Sequence, residues 1–213
     1  MEIKTLSLGP IGTNCYIVSK NDECLIFDPG AEAEKIEKYI TEQKLTPQAI
    51  LLTHAHFDHI GAVDAIRKRY NIDVYLHKEE QDWLEQAELN RSILFFGEAA
   101  AVRTAKPDHL IDIGKHTIAS FTFEVAHTPG HSPGSVSYIF HDDQFVISGD
   151  TLFNQGIGRT DLPEGDFTTL MTSIFTELYS LPDDFTVYPG HGPLTTIGSE
   201  KFQNPFTIQV NRG

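Results

Sequence analysis

Basic residues are scarce: 16 lysines and arginines stand against 30 aspartates and glutamates in 213 residues, a formal charge of −14. The few cations are scattered and form no patch, so nucleic acid is not an expected partner. Cysteine is scarcer still, with two in the chain. Cys15 and Cys24 both fall in expected strands and form no CxxC pair, so they read as reduced packing residues rather than as a disulfide framework. No run approaches the roughly 20 apolar residues that cross a bilayer. Met1-Glu2-Ile3-Lys4 is not a basic stretch followed by an apolar one, so no signal peptide and a cytoplasmic protein are expected. What remains is an ordinary globular composition, 40% hydrophobic and 22% charged. It suits one substantial domain over residues 1–213, with no linker and no internal repeat.

Alternation of apolar and polar residues predicts a strand over Ile3–Leu8, and turn-like breaks at Gly9-Pro10-Ile11-Gly12 and Asn21-Asp22 introduce strands over Cys15–Val18 and Cys24–Phe27. Helical spacing of Ile36, Tyr39 and Ile40 predicts a helix over Ala31–Gln43. Pro47 is expected to close that helix, and Ala49–Thr53 is an apolar strand running into His54. A helix over Ala62–Tyr70, a strand over Val74–Leu76 and a further helix over Glu79–Glu88 follow. Arg91–Lys106 has no clear element, and its Ile93-Leu94-Phe95-Phe96 could line a pocket or pack a loop. Strands return at Thr117–Ala119, Phe121–Ala126, Ser135–Phe140 and Phe145–Ser148. Leu152–Gly165 is a candidate binding loop. A helix over Phe167–Tyr179 and a last strand over Phe185–Tyr188 complete the series; from Gly198 little periodicity remains. Strands then helix, twice over, suggest an α/β sandwich of four layers.

The strongest local signal is Thr53-His54-Ala55-His56-Phe57-Asp58-His59, three imidazoles and a carboxylate directly after an apolar strand. In an extended turn His54 and His56 point the same way, and Asp58 and His59 are aimed elsewhere by the following helix. Such a layout suits two adjacent metal ions better than one. Imidazole and carboxylate are zinc ligands, with iron and manganese also compatible. His131, Asp150 and His191 each follow a glycine at a strand end, a common place for ligands in α/β proteins. His77, His109, His116 and His141 read as surface groups. His127, Asp28 and Thr53 are candidates for hydrogen-bonding the metal ligands. No serine or cysteine stands out as a nucleophile: Ser132 has no independent base, and there is no GxSxG.

HxHxDH followed by a single His, Asp and His resembles the metallo-β-lactamase fold superfamily over nearly the whole chain. The resemblance implies an αββα sandwich with a two-metal site. In it His54, His56 and His131 hold one zinc, Asp58, His59 and His191 the other, and Asp150 bridges them. Catalysis would fall to Asp58 and Asp150 with metal-bound hydroxide. Gly149-Asp150-Thr151-Leu152-Phe153, Gly158-Arg159-Thr160-Asp161, Pro189-Gly190-His191-Gly192-Pro193 and the late Asn204-Pro205-Phe206 resemble the short bacterial glyoxalase II-like hydrolases. Those cleave hydroxyacyl thioesters, usually S-lactoylglutathione. A small-molecule thioester is thus the implied partner, although the chain ends before the helical domain with which full-length glyoxalase II grips glutathione. Arg159 stands where full-length glyoxalase II has lysine, and has two readings: a substrate anion partner, or a lock on its own loop through Asp161. A β-lactamase is disfavoured, because a common zinc subclass uses a cysteine ligand between the second and third motifs. A mononuclear iron persulfide dioxygenase and a lactonase are the alternatives. The native metal, the thiol carrier, the acyl group and the oligomeric state are left open.

Overall fold

The structure is a computed structural model that describes residues 1–210. It divides into two compact units, residues 1–112 with 117–121, and residues 113–116 with the chain from 122 onward.

The first unit is built on a six-stranded sheet. Strands β1 (Glu2–Leu8), β2 (Thr13–Lys20) and β3 (Glu23–Phe27) form an antiparallel meander. Parallel β4 (Thr46–Leu51), β5 (Asp73–Leu76) and β6 (His109–Leu110) then extend it in that order. Crossovers supply α1 (Ala33–Gln43), which buries Ile36 and Ile40, and α3 (Val63–Tyr70), which buries Val63 and Ile66. Their core also holds Cys15 and Cys24. Both cysteines are free thiols, as expected, and burial pushes Cys24 up to about 12 and Cys15 well above the usual range.

Three expectations fail in this unit. Pro47 lies inside β4 rather than closing α1, which ends with Lys44 in the left-handed region. Having no N–H to give, proline is accommodated by a register shift opposite Cys24 and Leu25, where Gln48 is skipped. Glu79–Glu88 is not a helix but a single 3₁₀ turn, Lys78–Glu80, followed by further turns. There Glu80 and Trp83 are drawn inward, and the buried contacts override helix propensity. His77 is buried at 4% exposure, not a surface group, because it follows an interior parallel strand. His109 and His141 are exposed, each hydrogen-bonded to a carboxylate, Asp73 and Glu124. His116 is half-buried against Phe123.

The second unit carries the other six-stranded sheet, which includes β7 (Gly114–Ile118), β8 (Phe121–His127), β9 (Val136–Phe140), β10 (Phe145–Gly149), β13 (Thr186–Pro189) and β14 (Thr195–Thr196). The hairpin β11 (Leu152–Phe153) and β12 (Gly156–Ile157) lies within the expected binding loop. Leu170, Ile174 and Leu178 are buried as predicted, on α5 (Phe167–Ser173) and the π-helical turn that continues it. The tail after Gly198 does contain elements, α6 (Ile197–Gln203) and α7 (Pro205–Val210). They form around a polar centre that apolar periodicity cannot reveal. Buried Glu200 accepts from Thr195 Oγ1, Gln155 N and Asn204 Nδ2 at 2.5, 2.9 and 2.8 Å. Among the described residues no helix is long and apolar enough to cross a membrane.

Candidate metal centre

Parallel pairing explains how residues distant in sequence meet. In the first unit Phe27 lies opposite Leu51, so Asp28 after β3 and Thr53-His54 after β4 leave the sheet at the same edge. Thr53 gives its N–H to Asp28 Oδ1 at 2.8 Å and its hydroxyl to Asp28 Oδ2 at 2.6 Å. Asp28 Oδ2 also accepts from His59 Nδ1 at 2.9 Å. The Thr53 hydroxyl, having donated its proton, accepts from His54 Nδ1 at 3.1 Å. These partners assign the Nδ1–H tautomer to both rings and leave the Nε2 lone pair as the donor to a cation. Asp28 and Thr53 thus sit behind the histidines as expected.

His54 and His56, His54 and His59, and Asp58 and His59 each bring a ligand atom within 4.8 Å of the other. Asp58 Oδ2 lies 3.3 Å from His59 Nε2 and accepts from Thr13 Oγ1 at 2.7 Å. Gly30 must be glycine, since a Cβ there would stand 1.6 Å from the Asp58 carbonyl oxygen. Sequence reasoning missed the other supports of this loop. Ala55 N–H donates to the buried Glu80 carboxylate at 2.5 Å. The Trp83 ring lies 5.6 Å from that of His56, and the Arg91 guanidinium lies 5.2 Å from the centre of the Trp83 ring. Phe57 N–H donates to the Asn90 carbonyl at 3.0 Å. No local signal marks Glu80, Trp83 or Arg91, because each acts across the fold.

The second unit repeats the device. β10 and β13 are parallel with Gly149 opposite Pro189, so Asp150 and His191 emerge side by side. Asp150 Oδ2 lies 3.5 Å from His131 Nε2 and 3.6 Å from His191 Nε2. His131 Nδ1 donates to the Arg159 carbonyl at 2.8 Å, which again leaves Nε2 as the donor to a cation. Gly158 allows the loop to pass, since a Cβ would lie 1.9 Å from the Asp150 carbonyl oxygen. His127 holds the Pro133 carbonyl at 2.8 Å, tying down the turn that carries His131.

The donor set fits a divalent metal. Metal–ligand bonds of about 2.0–2.1 Å in a tetrahedron put neighbouring donor atoms about 3.3–3.4 Å apart. The separations of 3.3, 3.5 and 3.6 Å fall close to that edge length and beyond ordinary hydrogen bonds. Imidazole nitrogens and carboxylate oxygens at these separations are spaced to share a cation as ligands.

Arg159 makes a bidentate pair with Asp161, at 2.7 and 2.8 Å. The guanidinium holds the Asp161 carboxyl down at about 2. Since the folded value lies below the unfolded one, the pair supports its loop above the usual carboxylate range and is lost as pH falls through about 2. In Arg159→Ala the Asp161 carboxyl, followed by NMR, is expected to titrate in the ordinary aspartate range. An unchanged midpoint would mean that Arg159 is not what holds it.

The sequence profile of the metallo-beta-lactamase superfamily matches residues 8–191. The chain belongs to the metallo-β-lactamase superfamily. The protein named probable metallo-hydrolase YqgX of Bacillus subtilis is 53% identical over 208 residues, 97% of either chain. Hydroxyacylglutathione hydrolase GloC of Haemophilus influenzae is 36% identical, over 97% of this chain and 98% of its own. Among solved structures, BLEG-1 B3 metallo-β-lactamase superposes with a TM-score of 0.94 at 50% identity, covering 97% of this chain and 99% of its own. TTHA1623 in a di-iron-bound form superposes at 0.85 with 37% identity, covering 95% and 99%. The mixed α/β class and metallo-β-lactamase fold expected from the sequence are therefore those of this protein, a member of a metallo-hydrolase family whose His/Asp cluster could hold metal ions.

Proposed function

We propose that this metallo-hydrolase cleaves small hydroxyacyl thioesters of the S-lactoylglutathione type with two metal ions, zinc in the first instance. His54, His56 and His131 would hold one ion and Asp58, His59 and His191 the other, with Asp150 shared. When bound, the metals supply Lewis acidity, lowering the pKa of a water to about 7 and polarising the thioester carbonyl. The protein's own contribution is orientation. Asp28, Thr53 and the Arg159 carbonyl fix which nitrogen of His59, His54 and His131 faces inward. The Thr13 hydroxyl holds the Asp58 carboxylate. Serine chemistry has no support, since buried Ser132 bonds to Ser135 at 2.7 Å and not to a base. A thiolate leaves without a strong general acid, in keeping with a site whose carboxylates are engaged as metal ligands.

The observation that carries the thioester reading is the 36% identity to a hydroxyacylglutathione hydrolase across nearly the full length of both chains. A second reading, β-lactam hydrolysis, is favoured by the 50% identity to BLEG-1. Metal analysis and anaerobic assay of S-lactoylglutathione, a lactone and a penicillin side by side separate them. Two metal ions per chain with thioester turnover that needs no oxygen are expected. Turnover of the penicillin alone, or oxygen-dependent chemistry, would remove the thioester assignment.

A further inference from the structure

We infer that the hollow beside Asp58 receives an uncharged, apolar arm of the substrate, so that the thioesters this protein prefers carry an alkyl or aryl group there and not an anionic one. The inference rests on the hydrolase reading above and narrows its substrate. The hollow has a volume of about 310 Å³, and Leu8, Ile11, Phe57, Phe96 and Val102 line it with Asp58. That is the lower end of the roughly 300–1,000 Å³ found for ligand pockets, enough for one arm of a substrate.

Its place ties it to the metal ligands: Phe57 and Asp58 lie between His56 and His59 in the chain, so a group in the hollow sits against the ligand loop itself. Its chemistry is one-sided. Among the described residues around it none is basic, and the charged ones are Asp58 and Glu32. Glu32 is already engaged, accepting from Gly9 N–H at 2.9 Å and pairing with Lys35 at 2.8 Å. No basic side chain lines the hollow to receive an anionic arm, whereas its apolar wall suits an uncharged one.

Ile11 and Phe96 are held out toward water, while Leu8 and Phe57 form the buried floor. Ile11 is 51% exposed and Phe96 43%, with Leu94 and Phe95 beside Phe96 at 65% and 49%. Phe57 packs its ring 5.1 Å from Phe95 and 5.0 Å from Phe96. The turn presenting Ile11 is closed by Gly12 N–H to the Gly9 carbonyl and by Ser7 Oγ to the Gly12 carbonyl. A contiguous exposed apolar patch of this kind marks a binding surface, and here it borders a metal ligand.

Two substrate series test it. Acyl groups from acetyl to hexanoyl are compared on one uncharged thiol, N-acetylcysteamine, and then alkyl thiols of increasing length on one acyl group. In one series kcat/KM is expected to rise about fourfold per methylene, which identifies the arm; in the other it stays flat. Ile11→Asn and Phe96→Ser, both at exposed positions, should flatten the rising series. As a readout independent of turnover, n-hexanol should shift the backbone amide NMR signals of residues 9–12 and 96, an effect lost in Ile11→Asn. If thioesters are cleaved and neither series rises, the inference is overturned. If no thioester is cleaved but hexanol shifts those amides, the hollow stands and the hydrolase reading falls. If neither turnover nor shifts are seen, both fall.

Discussion

Asp150→Ala is expected to lose metal and turnover together. Asp150 sits 3.5 and 3.6 Å from the Nε2 atoms of His131 and His191, and it is buried. Its removal takes the shared oxygen donor from both proposed metals. Mutating groups that merely hydrogen-bond a ligand costs about 10–100-fold in metal affinity, and loss of a ligand shared by two ions should exceed that. Elemental analysis after gel filtration, with S-lactoylglutathione turnover on the same sample, measures both. Asp150→Asn, which keeps the shape and loses the charge, should also fail to hold two ions. Full metal content with undiminished turnover in either variant would rule out the shared-ligand role.

Asp28→Ala should damage both folding and metal binding without touching a metal ligand. Its carboxylate, 1% exposed, accepts from Thr53 N, Thr53 Oγ1 and His59 Nδ1. Each buried donor left unsatisfied costs about 1–3 kcal/mol, so a loss of about 3 kcal/mol or more is expected in chemical denaturation of the metal-free protein. His59 also loses the partner that fixes its tautomer, so metal affinity should fall about 10–100-fold in a competitive titration. Asp28→Asn separates the two effects. Asn tolerates the left-handed backbone at φ 48° and can still accept from Thr53 N, but it offers an NH₂ where Asp28 accepts from His59. Asn should therefore retain much of the stability while losing metal affinity. Wild-type metal affinity in both variants would show that the histidines are oriented by something else.

His54, His56, Asp58 and His59 were legible because they are neighbours: residue type and spacing within one strand-to-helix turn already constrain the chemistry. His131, Asp150 and His191 were legible from their shared setting, a glycine at the end of an apolar strand. The alternation of β1 and the apolar faces of α1 and α5 were equally plain, since burial on one side of a regular element writes its period into the residues. Strands β2 and β3, buried on both faces, were legible as short apolar runs between turns. The failures share a cause of the opposite kind. Glu80 and Trp83 fall in a stretch that reads as a helix and Arg91 in one with no clear element. Yet Glu80 and Trp83 turn inward against Ala55 and His56, and Arg91 lies over the Trp83 ring. Glu200 organises the C-terminal helices from a buried position that an apolar pattern cannot announce.

By itself, then, the sequence determined the donor types, their order along the chain and the family to which that order belongs, because these depend on contacts within a few residues. Only the tertiary structure decided which imidazole nitrogen faces inward, which carboxylates stand behind the ligands, that Arg159 spends its guanidinium on Asp161, and that an apolar hollow adjoins Asp58. Apart from the Arg159–Asp161 pair, which lies within one loop, those features depend on strand register and on hydrogen bonds between residues tens of positions apart.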